Sequence, residues 1–232
     1  MRNDSHARLQ LITEMRSKLL LPLLAAGCLS HGIAASAAEL SAAVKGADGA
    51  PVLDAVVLAF PSGVGVAATK QGSDTIDQVD YEFVPRVKVI KVGTMVNFPN
   101  KDNIRHQVYS FSPAKPFELP LYAGVRAPPV LFDKPGIVIM GCNIHDSMVG
   151  YVYVADTAYF GKTNADGKVR IDTLPSGRYT LRVWHPRMIE TEESTARRVS
   201  TSDAAPTAWT LTLKAEFRTR RAPDTARPAC ER

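Results

Sequence analysis

The chain has 232 residues, 45% hydrophobic and 22% charged, and 28 basic against 23 acidic side chains give a formal net charge of +5. That balance belongs to a soluble globular protein, long enough for one large or two small domains and apolar enough to need no disulfide framework. The three cysteines could not supply such a framework, and a small positive charge with no basic cluster interleaved with aromatics argues against a nucleic-acid partner.

At the N-terminus, Arg16 and Lys18 precede an apolar run from Leu19 to Leu29, followed by the small residues Ala35-Ser36-Ala37-Ala38. That order describes a secretory signal peptide, and the apolar run is too short for a permanent membrane span. Residues 1–38 are therefore expected to be a leader with an upstream extension, Met15 being an alternative start, and the mature chain is expected in the periplasm. A membrane anchor is one rival. A lipid anchor on Cys28 is another, although Ala25 stands where such signals usually have Leu. Removing residues 1–38 takes away four basic and two acidic side chains, which lowers the net charge to +3. Cys142, Cys230, His106, His145 and His185 remain.

The mature chain shows no sustained helical period. Short runs of β-branched and aromatic residues alternate with Gly, Pro, Asn and Asp, which predicts an all-β fold of one or two sandwiches. Strands are expected at Leu40–Val44, Ala55–Phe60, Val87–Lys91, Met95–Phe98, Gln107–Phe111, Ile137–Gly141, Gly150–Val154, Tyr179–Trp184 and Trp209–Leu213. Turns are expected at Asp48-Gly49, Lys134-Pro135-Gly136, Asp166-Gly167 and Pro175-Ser176-Gly177. Tyr109, Phe111, Tyr151 and Tyr153 alternate as sandwich-core residues would.

Two blocks emerge, one nested in the other. The opening Gly49-Ala50-Pro51-Val52 with Ala55-Val56-Val57, and the later TNADGKVRIDTLPSGRYTLRVWHP (residues 163–186), resemble the start and end of a carboxypeptidase-regulatory-like, or transthyretin-like, β-sandwich. Residues 39–75 and 156–215 would form that sandwich. Residues 76–155 would be a second β-domain inserted into it, with a polar junction around Gln71–Asp77. Residues 216–232 read as a flexible basic tail, solvated or able to dock electrostatically.

Chemistry concentrates in Gly141-Cys142-Asn143-Ile144-His145-Asp146-Ser147-Met148. One thiol, one imidazole and one thioether at spacings of three are suited to copper, and two His, one Cys and a weak axial Met make the blue-copper set. The second imidazole is expected from His106, in the polar loop Asn100–His106 that enters a strand. The stretch VNFPNKDNIRHQVYSFS and the stretch FDKPGIVIMGCNIHDSMVGYVYV together resemble the cupredoxins, above all the amicyanin- and plastocyanin-like group, over roughly residues 80–155. The whole chain further resembles plastocyanin-like proteins labelled as methylamine-utilisation accessory proteins. The resemblance implies a Greek-key sandwich holding one copper through His106, Cys142, His145 and axial Met148. It implies electron transport between redox partner proteins, with a surface-reaching His145 inside a small apolar docking patch including Met148 and Val149. Two departures stand out. Gln107 replaces the Asn that ties the ligand loops together, and Ile144 replaces the Pro before the second His, which restores a backbone N–H that would stabilise reduced copper if it pointed at the Cys142 sulfur.

Each residue also has a plainer reading. Cys142 could be a small buried hydrophobe, His106 a turn residue and Met148 core packing. A Cys142–Cys230 disulfide is conceivable in an exported protein. Zinc suits the donor set less well, since it does not favour a thioether. His185 is expected to be structural or exposed. No Gly-rich phosphate loop, nucleophile elbow or paired carboxylates stand out, and four protein donors leave no position open on the copper, so no enzyme is expected. Two rivals to electron carriage stay open: a periplasmic copper carrier using the same residues, and a non-redox module binding carbohydrate or protein.

Overall fold

The computed structural model describes residues 38–63, 72–123 and 127–215. The leader up to Ala37, Cys28, Cys230 and the tail from residue 216 lie outside the described residues. The chain runs through β1 (Ala38–Gly46), β2 (Val56–Pro61), β3 (Ser73–Thr75), β4 (Asp77–Val79), β5 (Glu82–Val84) and β6 (Val87–Lys91). It continues through β7 (Thr94–Asn97), β8 (His106–Ser110), β9 (Phe117–Tyr122), β10 (Val130–Phe132), β11 (Gly136–Cys142) and β12 (His145–Ala155). The last strands are β13 (Tyr159–Lys162), β14 (Lys168–Leu174), β15 (Arg178–Trp184), β16 (Arg197–Ser200) and β17 (Thr207–Leu211), with a 3-10 turn at Glu193–Thr195. The fold is all-β, as the alternating pattern predicts. Among the described residues no helix is long and apolar enough to cross a membrane.

The sheets divide by sequence. Strands β3 to β12 make a five-stranded sheet in the order β6-β12-β11-β8-β9, a three-stranded sheet β10-β7-β3 and the small hairpin β4-β5. Strands β1, β2 and β13 to β17 make the sheets β14-β1-β17 and β13-β2-β15-β16. One apolar cluster, including Ile76, Val96, Phe98, Val108, Phe132, Met140 and Val152, fills the first sandwich. Another, including Val44, Val57, Leu174, Tyr179, Leu181 and Trp209, fills the second.

A third cluster joins them through Val56, Leu58, Val87, Tyr153, Ala155 and Trp184. This contact explains why Ala55-Val56-Val57-Leu58-Ala59 reads as a continuous apolar run. On β2, Val57 and Ala59 face their own sandwich, while Val56 and Leu58 face the neighbouring one. A strand covered on both faces has no solvent side to keep polar. Strand β12 is built the same way, with Val152 and Val154 inward and Tyr153 and Ala155 at the junction.

That arrangement corrects part of the expected place of the aromatics, since Tyr153 is buried, but in the junction core. Tyr151 and Tyr153 pack at the junction against Trp184, with ring centroids 6.2 and 5.5 Å away. Phe111 lies beyond the end of β8 and is 85% exposed. The inward side of these strands is taken by Val108, Val152 and Val154. The period-2 pattern marked one face correctly, and only the third dimension tells which face.

The polar junction expected around Gln71–Asp77 contains β3, which pairs with β7 from Ser73↔Met95 to Thr75↔Asn97. Strands β3, β4 and β5 have three residues each, too few to show a period. Strand β9 contains Pro120, which its place at the sheet edge permits.

Candidate metal centre

The hairpin of β11 and β12 builds half of the site. Cys142 pairs across from His145 through the two-residue turn Asn143-Ile144, and the next pair is Gly141↔Val149. The register therefore slips, and Asp146, Ser147 and Met148 bulge out of the ladder. A bulge re-aims side chains at the end of a sheet. Here Asp146 and Ser147 are exposed while Met148 is buried. The strand begins at His145, five residues before the expected Gly150, so His145 is paired in the ladder and Met148 sits in a bulge of the same strand rather than on a free loop.

His106 opens β8, which lies next to β11 in the same sheet. Its ring is fully buried. The Cys142 Sγ lies 3.8 Å from His106 Nδ1 and 3.7 Å from His145 Nδ1. The three donor atoms all lie within 4.8 Å of one another. Among the described residues this is the group of three such side chains able to hold a metal ion. Cys142 is a free, buried thiol. Met148 is buried in the same apolar cluster as Cys142.

One further residue organises the imidazoles. The Asp102 carboxylate lies 2.7 Å from His106 Nε2 and accepts the backbone N–H groups of Asp80, at 2.7 Å, and Tyr81, at 3.0 Å. Burial alone would raise its pKa, but the Tyr81 N–H, the His106 ring and the Asp80 N–H outweigh that and hold it below the usual carboxylate value. An ionised carboxylate can only accept, so His106 Nε2 carries the proton. With Nε2 committed to Asp102, Nδ1 is the ring nitrogen that faces the Cys142 sulfur, 3.8 Å away. A carboxylate behind a metal-ligating His is the common means of fixing tautomer and ring orientation. Asn100 shapes the loop that delivers Asp102: its side-chain N–H groups donate to the carbonyls of Ile104 and Tyr122, both at 2.8 Å, and its Oδ1 accepts the Asp102 N–H at 2.9 Å.

Sequence reasoning missed Asp102 and Tyr81. Asp102 left a signal, a carboxylate four residues before a His in a polar loop. Tyr81 left none, because its hairpin meets the site only in the folded chain. Its ring stands edge-on to both imidazoles, 4.9 Å from His145 and 5.8 Å from His106 between centroids, and the imidazoles are 4.9 Å apart.

Gln107 donates to Glu118 Oε1 at 2.5 Å, so it ties β8 to β9 rather than to the Cys142–Met148 segment. The expected surface patch loses Met148, which is buried, keeps a half-buried Val149 and gains Ile144, 51% exposed. His185 belongs to the other sandwich, where its buried Nδ1 accepts the N–H of Arg187 at 3.2 Å.

The donor types and the two sulfur–nitrogen separations fit a copper ion. Donors sharing a small first-row ion through bonds of about 2.0–2.3 Å stand roughly 3.5–3.8 Å apart, which matches the two sulfur–nitrogen separations. A thiol, two imidazoles and a buried thioether close to the thiol in sequence are soft-to-intermediate donors of the kind copper takes.

No family model matches the chain, and no curated protein sequence matches it. Several solved structures are similar to part of it. A copper-containing nitrite reductase from Thermus scotoductus is 30% identical with a TM-score of 0.35, over 41% of this chain and 25% of its own. This chain thus spans about a quarter of that reductase. A reduced amicyanin variant is 21% identical with a TM-score of 0.33, over 42% of this chain and 98% of its own. A purple cupredoxin from Nitrosopumilus maritimus is 24% identical with a TM-score of 0.32, over 36% and 99% respectively.

Proposed function

We propose that this chain is an exported, non-enzymatic electron carrier that holds one copper through His106, Cys142 and His145, with Met148 as the weak axial donor. The single observation that carries this reading is the convergence of a buried thiol on two imidazole nitrogens, at 3.7 and 3.8 Å. The copper would supply reversible one-electron cycling between Cu(II) and Cu(I). The protein's part is to keep the same donors in the same places through both states. Cys142 and His145 face each other across one hairpin, His106 is fixed from behind by Asp102, and Met148 is held in the apolar core. Donors fixed by packing and hydrogen bonds need little rearrangement. His145 is half-buried, so its ring is the natural route for an electron between the site and a partner protein docked over Ile144 and Val149. The leader pattern supports action in the periplasm, and the segregation of the sheets supports reading residues 76–155 as a domain nested in a second sandwich.

The test is the visible and EPR spectrum of the chain without residues 1–38, loaded with Cu(II). An intense thiolate charge-transfer band and reversible one-electron cycling are expected, and Cys142→Ser should abolish the band. A band that survives Cys142→Ser would show that the thiolate is misassigned. Fast surrender of the ion to a copper-free acceptor, without redox cycling, would make the protein a copper carrier instead.

A further inference from the structure

The hairpin β4-β5 turns through Asp80 and Tyr81, both in the left-handed region with φ of 51° and 64°. Two consecutive positive φ values describe the tight hairpin turn that normally recruits Asn and Gly. A tyrosine there is out of place by local preference, so its position calls for a reason outside the turn. The surroundings supply one. Asp102, already bonded to His106, accepts the N–H groups of both turn residues. The hairpin is also fastened to the 99–101 segment by Gln78 N–H to Pro99 O at 3.0 Å, Lys101 N–H to Gln78 O at 2.9 Å, and Lys101 Nζ to Asp77 at 2.6 Å. The Tyr81 ring, itself half-buried, completes a triangle of edge-on rings with His106 and His145.

We propose that Tyr81 is a fixed cover over the imidazole pair, clamped by Asp102, which keeps small solutes away from Cys142 and from the space between the three donors. The role deepens the electron-carrier reading and rests on it for the copper arm of the test only. A site that only passes electrons must not take an outside ligand, because a new donor would change the coordination between the two oxidation states. In this protein one side of that exclusion is a side chain contributed from a separate hairpin, and the carboxylate that orients His106 also holds the cover. Tyr81 acts by position: its ring excludes and its hydroxyl is not required.

The deciding variant is Tyr81→Gly. Glycine adopts φ near 64° without strain, so the substitution removes the ring without straining the turn, and relief of the tyrosine's strain offsets part of the lost ring contacts; rates are compared at temperatures where both proteins are fully folded. In the metal-free chain, alkylation of Cys142 by iodoacetamide, followed on the Cys142-bearing peptide by mass spectrometry, should be at least about tenfold faster than in the parent protein. Tyr81→Phe should keep the slow rate. In the Cu(II)-loaded protein, azide should give a new charge-transfer band with Tyr81→Gly and none with the parent or with Tyr81→Phe. Equal alkylation rates in parent and Tyr81→Gly, both fully folded, would overturn the cover. So would an azide band of equal strength in the parent. A parent chain that takes up no copper would sink the electron-carrier reading while leaving the alkylation result to judge the cover by itself.

Discussion

The two sandwiches differ in how their buried polar groups are used. In the sandwich of β1, β2 and β13 to β17, Thr163 donates its hydroxyl to Val52 O at 2.6 Å and accepts the Ala55 N–H at 2.8 Å. Thr195 likewise donates to Glu192 O at 2.6 Å and accepts the Val183 N–H at 2.9 Å. Both hydroxyls satisfy backbone, and the fold itself is their explanation. In the sandwich of β3 to β12, Gln78 and Thr94 likewise donate to the backbone carbonyls of Phe98 and Lys91, but the buried Cys142 and His106 face each other and His145 instead. Side chains that spend burial on meeting one another, with a carboxylate behind one of them, need an explanation beyond the fold. Under the proposed function, the contrast would separate a supporting sandwich from one that carries the chemistry.

The largest expected effect tests whether the supporting sandwich only supports. Trp184 is buried at the junction beside Tyr151 and Tyr153. Trp184→Ala should cost about 3–5 kcal/mol of unfolding free energy, as truncation of large buried aromatics does. The thiolate band of the copper-loaded protein should be unchanged at temperatures where the variant is folded. A shifted or bleached band in the folded variant would show that the junction helps to shape the site, through β12, and the division of labour would fail.

Asp102→Asn probes the other side of the comparison. The amide keeps an acceptor for one turn N–H but places a donor where Asp102 now only accepts, against the His106 ring and the Tyr81 N–H. Loss of such a partner behind a ligating His weakens metal binding about 10–100-fold, and the lost hydrogen bonds cost about 1–3 kcal/mol of stability. Competition titration with a chelator and denaturant unfolding measure the two. Copper affinity should suffer more than after Trp184→Ala, and stability less. Affinity within a factor of two of the parent would mean that packing alone holds His106.

Much of this was legible in the sequence, for physical reasons that differ by residue. Cys142, His145 and Met148 are close in the chain, so their spacing is preserved in space up to the three-residue bulge that buries Met148. His106 was reachable because a polar loop entering an apolar strand marks one end of a sandwich. The long strands showed their period, while β3, β4 and β5 were too short to show one. Tyr81 was invisible because it meets the imidazoles through a contact with no sequence spacing, in a turn conformation that its residue type disfavours. Of the alternating aromatics, Tyr153 is buried in the junction core while Tyr109 and Tyr151 are half-buried and Phe111 is exposed, because alternation identifies two faces without naming the core. The run of β2 was read as a strand, and the structure adds that its two faces serve two different cores.

The smallest expected effect lies at the junction and depends on pH. Glu192 accepts the Tyr153 hydroxyl at 2.6 Å and lies 3.7 Å from Arg182. Burial raises its pKa above the ordinary glutamate value, outweighing the Tyr153 hydrogen bond and the Arg182 charge that pull it down. Burial, reinforced by the hydrogen bond to Glu192, likewise pushes the Tyr153 phenol up, so Tyr153 stays a donor at neutral pH. A carboxyl with a raised folded pKa contributes stability that is fully present below its unfolded pKa and is lost as pH rises through the folded one. In the parent protein this contribution therefore fades from mildly acidic pH toward neutrality. Glu192→Gln keeps an acceptor for Tyr153 and removes the titration. Its thermal midpoint relative to the parent should rise between pH 4 and pH 7, by an amount within the roughly 2–4 °C that 1 kcal/mol moves a chain of this size. A difference that stays flat, or falls toward neutral pH, would mean that the attraction of Arg182 outweighs the cost of burying the carboxylate. The junction would then be held in part by charge and not by the apolar surfaces of β2, β12 and β15 alone.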